Sequence, residues 1–271
     1  MSSTALQSTQ AVFTPRRLIL ELLDADPSVM GQSRQLLAAG ELFGFSTNQM
    51  RVALSRLVGD DLLSNPERGC YALSGAGAAL RKEIQRWRHL EDQLCDWSGD
   101  WYVLFTESIA TESSTRFRAQ TRALRLRGLQ RWRPGMWVRP GNLKGGLKRL
   151  VADVAALGMD SVAGSCVIGQ ADSHCEQELR GLWDIASLRS KYAASIVELQ
   201  EALARLDEPE QIPVLVETLE LGGDVIRSLL NDPLLPDCML GCDSRQQLMN
   251  LMKKYDAAGR ERWHDFMKHL N

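Results

Sequence analysis

The sequence contains no uninterrupted apolar run that approaches the roughly 20 residues of a membrane-spanning helix. Its first residues are mostly small or polar and lack the basic and then apolar order of a secretory signal. The six cysteines are scattered and show no paired Cys-x-x-Cys motif, which is typical of free thiols in a reducing compartment. They are Cys70, Cys95, Cys166, Cys175, Cys238 and Cys242. We therefore expect a cytoplasmic protein.

Sequence motifs of enzymes are also missing. No glycine-rich nucleotide fingerprint is present, and the stretch Gly141–Lys148 lacks the Gly-Lys-Ser/Thr ending of a phosphate loop. The four histidines form neither a Ser/His/Asp nor a His-Glu-x-x-His pattern. Cys166, His174 and Cys175 could approach a metal ion, but incidental cysteines are the better interpretation because paired spacing is absent. We expect no catalytic site, no metal and no cofactor, so the protein is predicted not to be an enzyme.

The small net charge of −2 hides an uneven distribution along the chain. Residues 1–95 carry ten basic and ten acidic side chains, residues 96–170 carry eleven and six, and residues 171–271 carry eleven and eighteen. The whole chain is therefore not a nonspecific binder of polyanions. A local basic surface can still contact phosphates, while the acidic C-terminal region would be repelled by them.

The stretch Phe45–Leu73 carries the strongest functional signal. Ser46 can cap a helix through its hydroxyl. Apolar residues at three- and four-residue steps predict the buried face, namely Met50, Leu54, Leu57 and Val58. The other face carries Asn48, Gln49, Arg51, Val52, Ser55 and Arg56. Because Asn and Gln can pair bidentately with adenine and Arg with guanine, this face is typical of a helix that reads the major groove of DNA.

Two helices precede this stretch, and a strand pair follows its helix. Thr14-Pro15 opens the first helix, which buries Leu18, Ile19, Leu22 and Leu23, and Gln32–Leu42 forms the second. After Gly59, a turn that contains Pro66 and Gly69 leads into a second strand at Tyr71-Ala72-Leu73. Three helices and a strand pair predict a winged helix-turn-helix. A small helical bundle with solvated arginines is the alternative, and the strand pair favours DNA binding.

The middle of the chain is predicted to contain strands that alternate with helices. Ser74 is predicted to cap a long linking helix that ends near Cys95. The segments that follow are a strand at Trp101–Phe105, a helix at Ser113–Arg127, a strand at Met136–Pro140, a helix at Gly145–Leu157 and a strand at Ser161–Ile168. This order predicts a small ferredoxin-like α/β sandwich, with helices on one face of its sheet. For the arginines of the first of these helices, a solvated face or a dimer rim is favoured over nucleic-acid binding.

The C-terminal part is predicted to be nearly all helix. Leu182–Leu206 forms one helix, a second element runs from Pro209 to Leu230, and Ser244–Leu270 closes the chain with a weak point at Gly259. Asp232–Pro236 is an extended break. This acidic region is typical of a ligand-binding or dimerisation module. We expect an α+β protein with three domains, at residues 1–95, 96–175 and 176–271.

Several short segments, in this order and spacing, resemble the PaaX family of bacterial transcriptional repressors, which is named for control of phenylacetic acid degradation. The resemblance covers essentially the whole chain. Its most telling pieces are Arg51–Val58, Trp101–Phe105 after Gly99-Asp100, Pro134–Pro140, Leu182–Ile185 and Asn231–Pro236.

The resemblance implies an N-terminal winged helix, a central domain of Cas2-like ferredoxin type and a C-terminal helical domain. It also implies a homodimer, without membrane association, that binds palindromic double-stranded operator DNA. An aryl-CoA thioester, phenylacetyl-CoA in the named case, would release it from the operator of an aromatic-compound catabolic operon.

The residues expected to bind DNA fall into two groups. Thr47, Asn48, Gln49, Arg51 and Ser55 would face base edges. The expected contacts to backbone phosphates come from Arg16, Arg17, Arg34, Arg56 and Arg68.

The effector is expected to use both basic and apolar side chains. Because a CoA thioester carries phosphates, its nucleotide end would lie against the arginines of the central domain, namely Arg116, Arg118, Arg122, Arg131 and Arg133. The aryl end would need an apolar cavity near Trp183 and Tyr192.

Two other functions stay open. The central fold could belong to a metal-dependent nuclease, in which Glu107, close to the end of the first central strand, would hold the metal. Alternatively, the protein could be a DNA-binding or scaffolding dimer that responds to no ligand.

Overall fold

The computed structural model describes residues 13–25, 31–106, 115–159, 162–206, 212–241 and 243–270. The chain is a mixed α/β protein with two small antiparallel sheets. It divides into two compact units. The first combines Met1–Glu83, Ala202–Gly223 and Tyr255–Asn271, and the second combines Ile84–Glu201 and Asp224–Lys254.

The first unit begins with three helices and a hairpin. They are α1 (Pro15–Ala25), α2 (Ser33–Leu42), α3 (Thr47–Gly59), β1 (Leu63–Glu67) and β2 (Cys70–Leu73), followed by α4 (Gly75–Gln85). The amide of Arg17 donates to the Thr14 hydroxyl at 3.2 Å, as expected for the cap of α1. All four residues predicted for the buried stripe of α1 are at most 1% exposed.

One hydrophobic core holds this unit together. Leu36 and Ala39 of α2 are buried in it together with Met50, Leu54 and Leu57 of α3, and burial of these three α3 residues was predicted. The same core contains Leu215, Trp263 and Met267 from the C-terminal part of the chain. The prediction for Val58 was wrong, since this side chain is 38% exposed.

The link after the hairpin is shorter than the sequence indicates. Ser74 caps α4 as predicted, because its hydroxyl accepts the amide of Gly77 at 3.1 Å. The α-helix ends at Gln85, however, and the chain continues as two short 3₁₀ helices, Arg86–His89 and Glu91–Gln93. A single linking helix to Cys95 is therefore not formed.

The second unit is built on a four-stranded sheet. Its elements are β3 (Trp101–Phe105), α5 (Thr115–Arg125), β4 (Gln130–Arg133), β5 (Met136–Pro140), α6 (Gly146–Ala156) and β6 (Gly164–Ile168). The strand order is β4-β5-β3-β6, and every neighbouring pair is antiparallel. The sequence prediction missed β4, which forms a hairpin with β5 around Pro134-Gly135.

Both faces of this sheet are covered at β3, one of its two central strands. Leu104 of β3 shares a core with Leu124 of α5 and with Leu150 and Val154 of α6, which places both helices on one face. On the other face, Trp101 is fully buried and stacks on Trp183 with ring centroids 6.0 Å apart. The prediction of helices on one face holds, but the opposite face is not open to solvent at this strand.

The remaining helices are α7 (Ser173–Arg180), α8 (Ile185–Leu206), α9 (Ile212–Leu230), α10 (Asp237–Leu240) and α11 (Ser244–Lys268). The chain forms no regular secondary structure at Asp232–Pro236, between α9 and α10, so the predicted break is present, but Leu234 has φ +53° and the segment is not fully extended. α11 continues unbroken through Gly259. Residues of α8, α9 and α11 fall in both units. The division into units thus differs from the three consecutive domains expected from the sequence. Among the described residues, no helix has the length and apolarity needed to cross a membrane.

Candidate nucleic-acid interface and ligand cavity

One face of α3 is polar and exposed. It carries six exposed side chains, Thr47, Asn48, Arg51, Val52, Ser55 and Arg56. Because Met50, Leu54 and Leu57 are buried, the helix cannot rotate about its axis without exposing apolar surface. Burial of one stripe therefore fixes which side chains a bound molecule meets.

The start of α3 is held by a reciprocal cap. The hydroxyl of Ser46 accepts the amide of Gln49 at 3.2 Å, and the side-chain oxygen of Gln49 accepts the amide of Ser46 at 2.8 Å. The hydroxyl of Ser46 also lies 3.0 Å from the same oxygen of Gln49. Gln49 was expected to read bases, but its side chain is engaged in this capping box. We therefore assign it to the cap and remove it from the base-reading set.

α2 and α3 lie close together at one point. A Cβ atom at Gly40 of α2 would lie only 2.5 Å from Cγ of Met50. Gly44, in the turn between the helices, has φ +72°, a conformation that glycine adopts without strain. The close approach and the tight turn hold α3 firmly against α2.

The hairpin is also tied to α2. It turns at Arg68-Gly69, because Glu67 pairs with Cys70, and Gly69 has φ +83°. The amide of Ser33 donates to the carbonyl of Gly69, and the amide of Tyr71 donates to the carbonyl of Gly31, both at 2.6 Å. The hairpin is therefore tied by hydrogen bonds to the start of α2, with Arg68 exposed at its tip.

The predicted phosphate-binding arginines differ in their surroundings. Arg16 is about half exposed and pairs with Asp60 at 2.5 Å. Arg17 is mostly buried and pairs with Glu21 at 2.7 Å, so we remove it from the interface. Arg34 is exposed. Within the described part of the chain, Arg56 and Arg68 are exposed and form no ion pair, as is also true of Arg51.

The arginines of the second unit are only partly brought together. Three of them, Arg118, Arg122 and Arg125, lie along a surface groove on α5, which we call the α5 groove. Its other lining residues are Phe117, Thr121, Leu126 and Asn231. The predicted residues Arg116, Arg131 and Arg133 do not line it, and Arg133 pairs with Glu178 at 2.8 Å.

The two aromatic residues expected around an aryl group lie elsewhere. Trp183 is 7% exposed and packs against Trp101, and the hydroxyl of the buried Tyr192 donates to the carboxylate of Asp232. Both side chains are therefore part of the core, and neither lines the α5 groove or contributes to a site that we describe.

Arg139, a residue that the sequence analysis did not single out, lies at the centre of the second unit. It is 1% exposed, and its guanidinium donates to the carbonyls of Arg127, Pro140 and Leu234 and to the side chain of Asn142. Burial lowers the pKa of this guanidinium from its ordinary value to about 9. Its hydrogen bond to Leu234 holds the segment after α9 against β5, which explains a cation in a buried strand.

Asn142 and Asp232 complete this contact. The amide of Asn142 donates to the carbonyl of Leu234 at 2.8 Å, and the backbone amide of Leu234 donates to the carboxylate of Asp232 at 2.7 Å. Burial raises the pKa of the Asp232 carboxyl, and the hydrogen bond from Tyr192 opposes that shift. Two of the segments that carry the family resemblance, Pro134–Pro140 and Asn231–Pro236, thus meet through a buried polar network.

A cavity of about 180 Å³ borders this network. Arg139, Asp232 and Leu234 form part of its wall, and Leu126 lines both this cavity and the α5 groove. We call it the Arg139 cavity. It is more enclosed than the α5 groove, and two buried ionisable groups, Arg139 and Asp232, line it.

The nuclease hypothesis depends on a residue outside the described part of the chain. Glu107 lies in the stretch 107–114, for which the structure gives no description. Among the described residues, no three His, Cys, Asp or Glu side chains are grouped so that they could hold a metal ion. That hypothesis stays a prediction.

Comparison with known proteins identifies the fold alone. The structure is similar to that of the uncharacterized protein Rv0674 from Mycobacterium tuberculosis, with a TM-score of 0.66 and 24% sequence identity. The alignment covers 94% of this chain and 99% of that chain, so the likeness extends over both proteins. No family model and no curated protein matches the sequence.

The contact between Gly128 and the segment after α9 can be tested by mutation. Gly128 has φ +75°, and a Cβ atom there would collide with the carbonyl oxygen of Pro233 and lie 2.9 Å from Nη1 of Arg139. We expect Gly128→Ala to lower the free energy of unfolding by about 2 kcal/mol or more, measured by urea denaturation. Gly181→Ala is the control, because its φ is −70° and the nearest atoms lie at 3.4 Å. Equal stability of the two variants would contradict this account of the contact.

Proposed function

We propose that the protein is a DNA-binding transcriptional regulator whose recognition helix is α3. The observation that carries the proposal is the exposed polar face of α3, which is capped at its start, packed on α2 and followed by a hairpin that is tied to α2. A helix–turn–helix places its second helix in the major groove of DNA. The hairpin after α3 is then the wing, with Arg68 at its tip.

Within this proposal the exposed residues of α3 have two roles. Asn48, Arg51 and Ser55 present hydrogen-bonding groups toward base edges, where Arg pairs with guanine and Asn with adenine. Arg56, at the end of α3, and Arg68, at the tip of the hairpin, are exposed and make no ion pair within the described part of the chain, so both are available to phosphates. Arg16 can reach a phosphate only by leaving Asp60, and Thr47 and Arg34 stand at the margin of the surface.

The order of elements in the second unit supports the ferredoxin-like assignment. The chain runs β-α-β-β-α-β from β3 to β6, and the sheet order places the first and third of these strands side by side at the centre. Together with the winged helix-turn-helix proposed for the first unit, this order matches what the resemblance to the PaaX family implies. We infer a homodimer that binds a palindromic operator, with half-sites about one helical turn or a multiple apart.

Arg51→Ala tests the proposal at one side chain. Loss of a bidentate contact to a base costs about 1–3 kcal/mol and relaxes the preference at one position. We therefore expect weaker binding and one degenerate position in the selected sequence, measured by gel shift on a library of operator variants. Unchanged affinity and preference would contradict the role of Arg51.

Two further variants distinguish base recognition from a phosphate contact and from the stability of α3. Arg68→Ala should weaken binding to all sequences alike and reduce the salt dependence by about one phosphate contact. Gln49→Ala should lower the free energy of unfolding by breaking the capping box, without changing which base is preferred.

We further propose that the regulator is a repressor of aromatic-compound catabolism and that an aryl-CoA thioester releases it from DNA. The α5 groove is the site that we assign to the phosphates of the nucleotide end, because Arg118, Arg122 and Arg125 converge there. The ligand would act by binding more tightly to a form of the dimer that does not fit the operator. Trp183 and Tyr192 are not part of the assigned site.

Arg122→Gln tests the effector proposal. Removing one exposed cation should raise the concentration of phenylacetyl-CoA needed for half-maximal release of DNA by roughly fivefold, equivalent to about 1 kcal/mol. Arg131→Gln is the matched control, because Arg131 is exposed on β4 but lies outside the groove. Absence of release by any member of an acyl-CoA panel would favour a regulator without a ligand.

A further inference from the structure

The Arg139 cavity has more basic than acidic side chains in its wall. The basic residues are Arg86, Arg127, Arg139, Lys144 and Arg149. The acidic residues are Asp92, Asp153 and Asp232. At neutral pH the wall therefore has an excess of positive charge in a concave site, where charges are screened less than on an open surface.

The acidic residues are already engaged by other groups of the protein. Asp153 accepts from Arg149 at 2.7 Å and lies 3.7 Å from Nε of Arg127. Asp92 lies 3.1 Å from His89. Asp232 accepts from the hydroxyl of Tyr192 and from the backbone of Leu234. None of the three carboxylates in the wall therefore pairs with its remaining basic residues.

Arg86 and Lys144 are these remaining cations. Neither forms an ion pair with any residue that the structure describes. Arg86 and Lys144 both line the cavity, so an anion in it can pair with them.

We propose that the Arg139 cavity binds the oxyanion group, a carboxylate or a phosphate, of a small molecule. The oxyanion would pair with the guanidinium of Arg86 and with the ammonium of Lys144. Hydrogen bonds between a cation and an oxyanion are the strongest that these side chains form. Arg139 itself has a structural role, because its donors are directed at backbone carbonyls and at Asn142.

The size of the cavity limits the ligand. Pockets for drug-sized molecules enclose roughly 300–1,000 Å³, whereas this cavity encloses about 180 Å³. It therefore fits inorganic phosphate or a small carboxylic acid, or one end of a larger molecule that continues past Leu126 into the α5 groove. A whole CoA thioester does not fit in it.

A ligand in the cavity would also affect the stability of the second unit. The cavity wall includes Leu234, whose carbonyl accepts from Asn142 and from Arg139. The cavity therefore borders the contact that joins the segment after α9 to β5. Binding should stabilise this contact, because a ligand that binds only the folded state raises its stability.

The test uses the full chain and two probes, inorganic phosphate and benzoate, at constant ionic strength. We expect a saturable rise of the Tm with at least one probe, from which a dissociation constant follows. A response to phosphate alone identifies a phosphate site, and a response to benzoate alone identifies a carboxylate site. No saturable response to either probe overturns the proposal.

Three substitutions locate the binding. Arg86→Gln should raise the dissociation constant about tenfold or more, and Lys144→Gln about fivefold. Lys148→Gln, on an exposed position outside both the cavity and the α5 groove, should leave it unchanged. Lys144 is exposed, so its variant is expected to fold even if the Arg86 variant does not.

Equal dissociation constants for Lys144→Gln and Lys148→Gln would place the anion elsewhere and overturn the proposal. The assay contains no DNA, so its outcome does not depend on the function proposed for the first unit.

Discussion

Burial of one stripe of α3 is the constraint on which the functional surface depends. Met50, Leu54 and Leu57 are at most 1% exposed, and each loses the free energy of its buried surface if the helix rotates. Their position turns Asn48 and Arg51 outward. A surface that is to read bases must be held rigidly, because a bidentate contact tolerates little displacement. Packing on α2 and the cap at Ser46 supply that rigidity in the first unit.

The second unit depends instead on a buried charged residue, Arg139. Burying an unpaired cation is costly, and the low pKa of the Arg139 guanidinium reflects that cost. Its donors are satisfied by the side chain of Asn142 and by three backbone carbonyls, and because one of these belongs to Leu234, Arg139 acts as a cross-link between β5 and the segment after α9. The same arrangement leaves a cavity with more basic than acidic groups beside it. The polar network that holds the second unit together therefore also borders the candidate ligand site.

The sequence predicted the elements whose side chains follow a regular period, and it failed where tertiary neighbours decide. The buried stripe of α3 was correct except at Val58, which lies in the last turn, where the core ends. β4 was missed because its sequence, Gln-Arg-Trp-Arg, is polar, as befits a strand at the edge of a sheet. Gln49 was assigned to base reading although the spacing of Ser46 and Gln49 is the sequence signature of a capping box, a signal that the sequence analysis did not use. Arg139 was overlooked because a charged residue is expected at the surface, and only the fold places carbonyls around it.

The central claim is that the exposed face of α3 reads specific DNA. The most direct measurement is selection of bound molecules from a pool of random double-stranded DNA by the full chain at physiological salt, followed by sequencing. We predict that the bound pool becomes enriched in an inverted repeat, with half-sites about one helical turn or a multiple apart. A bound pool that is indistinguishable in sequence from the input would contradict the claim.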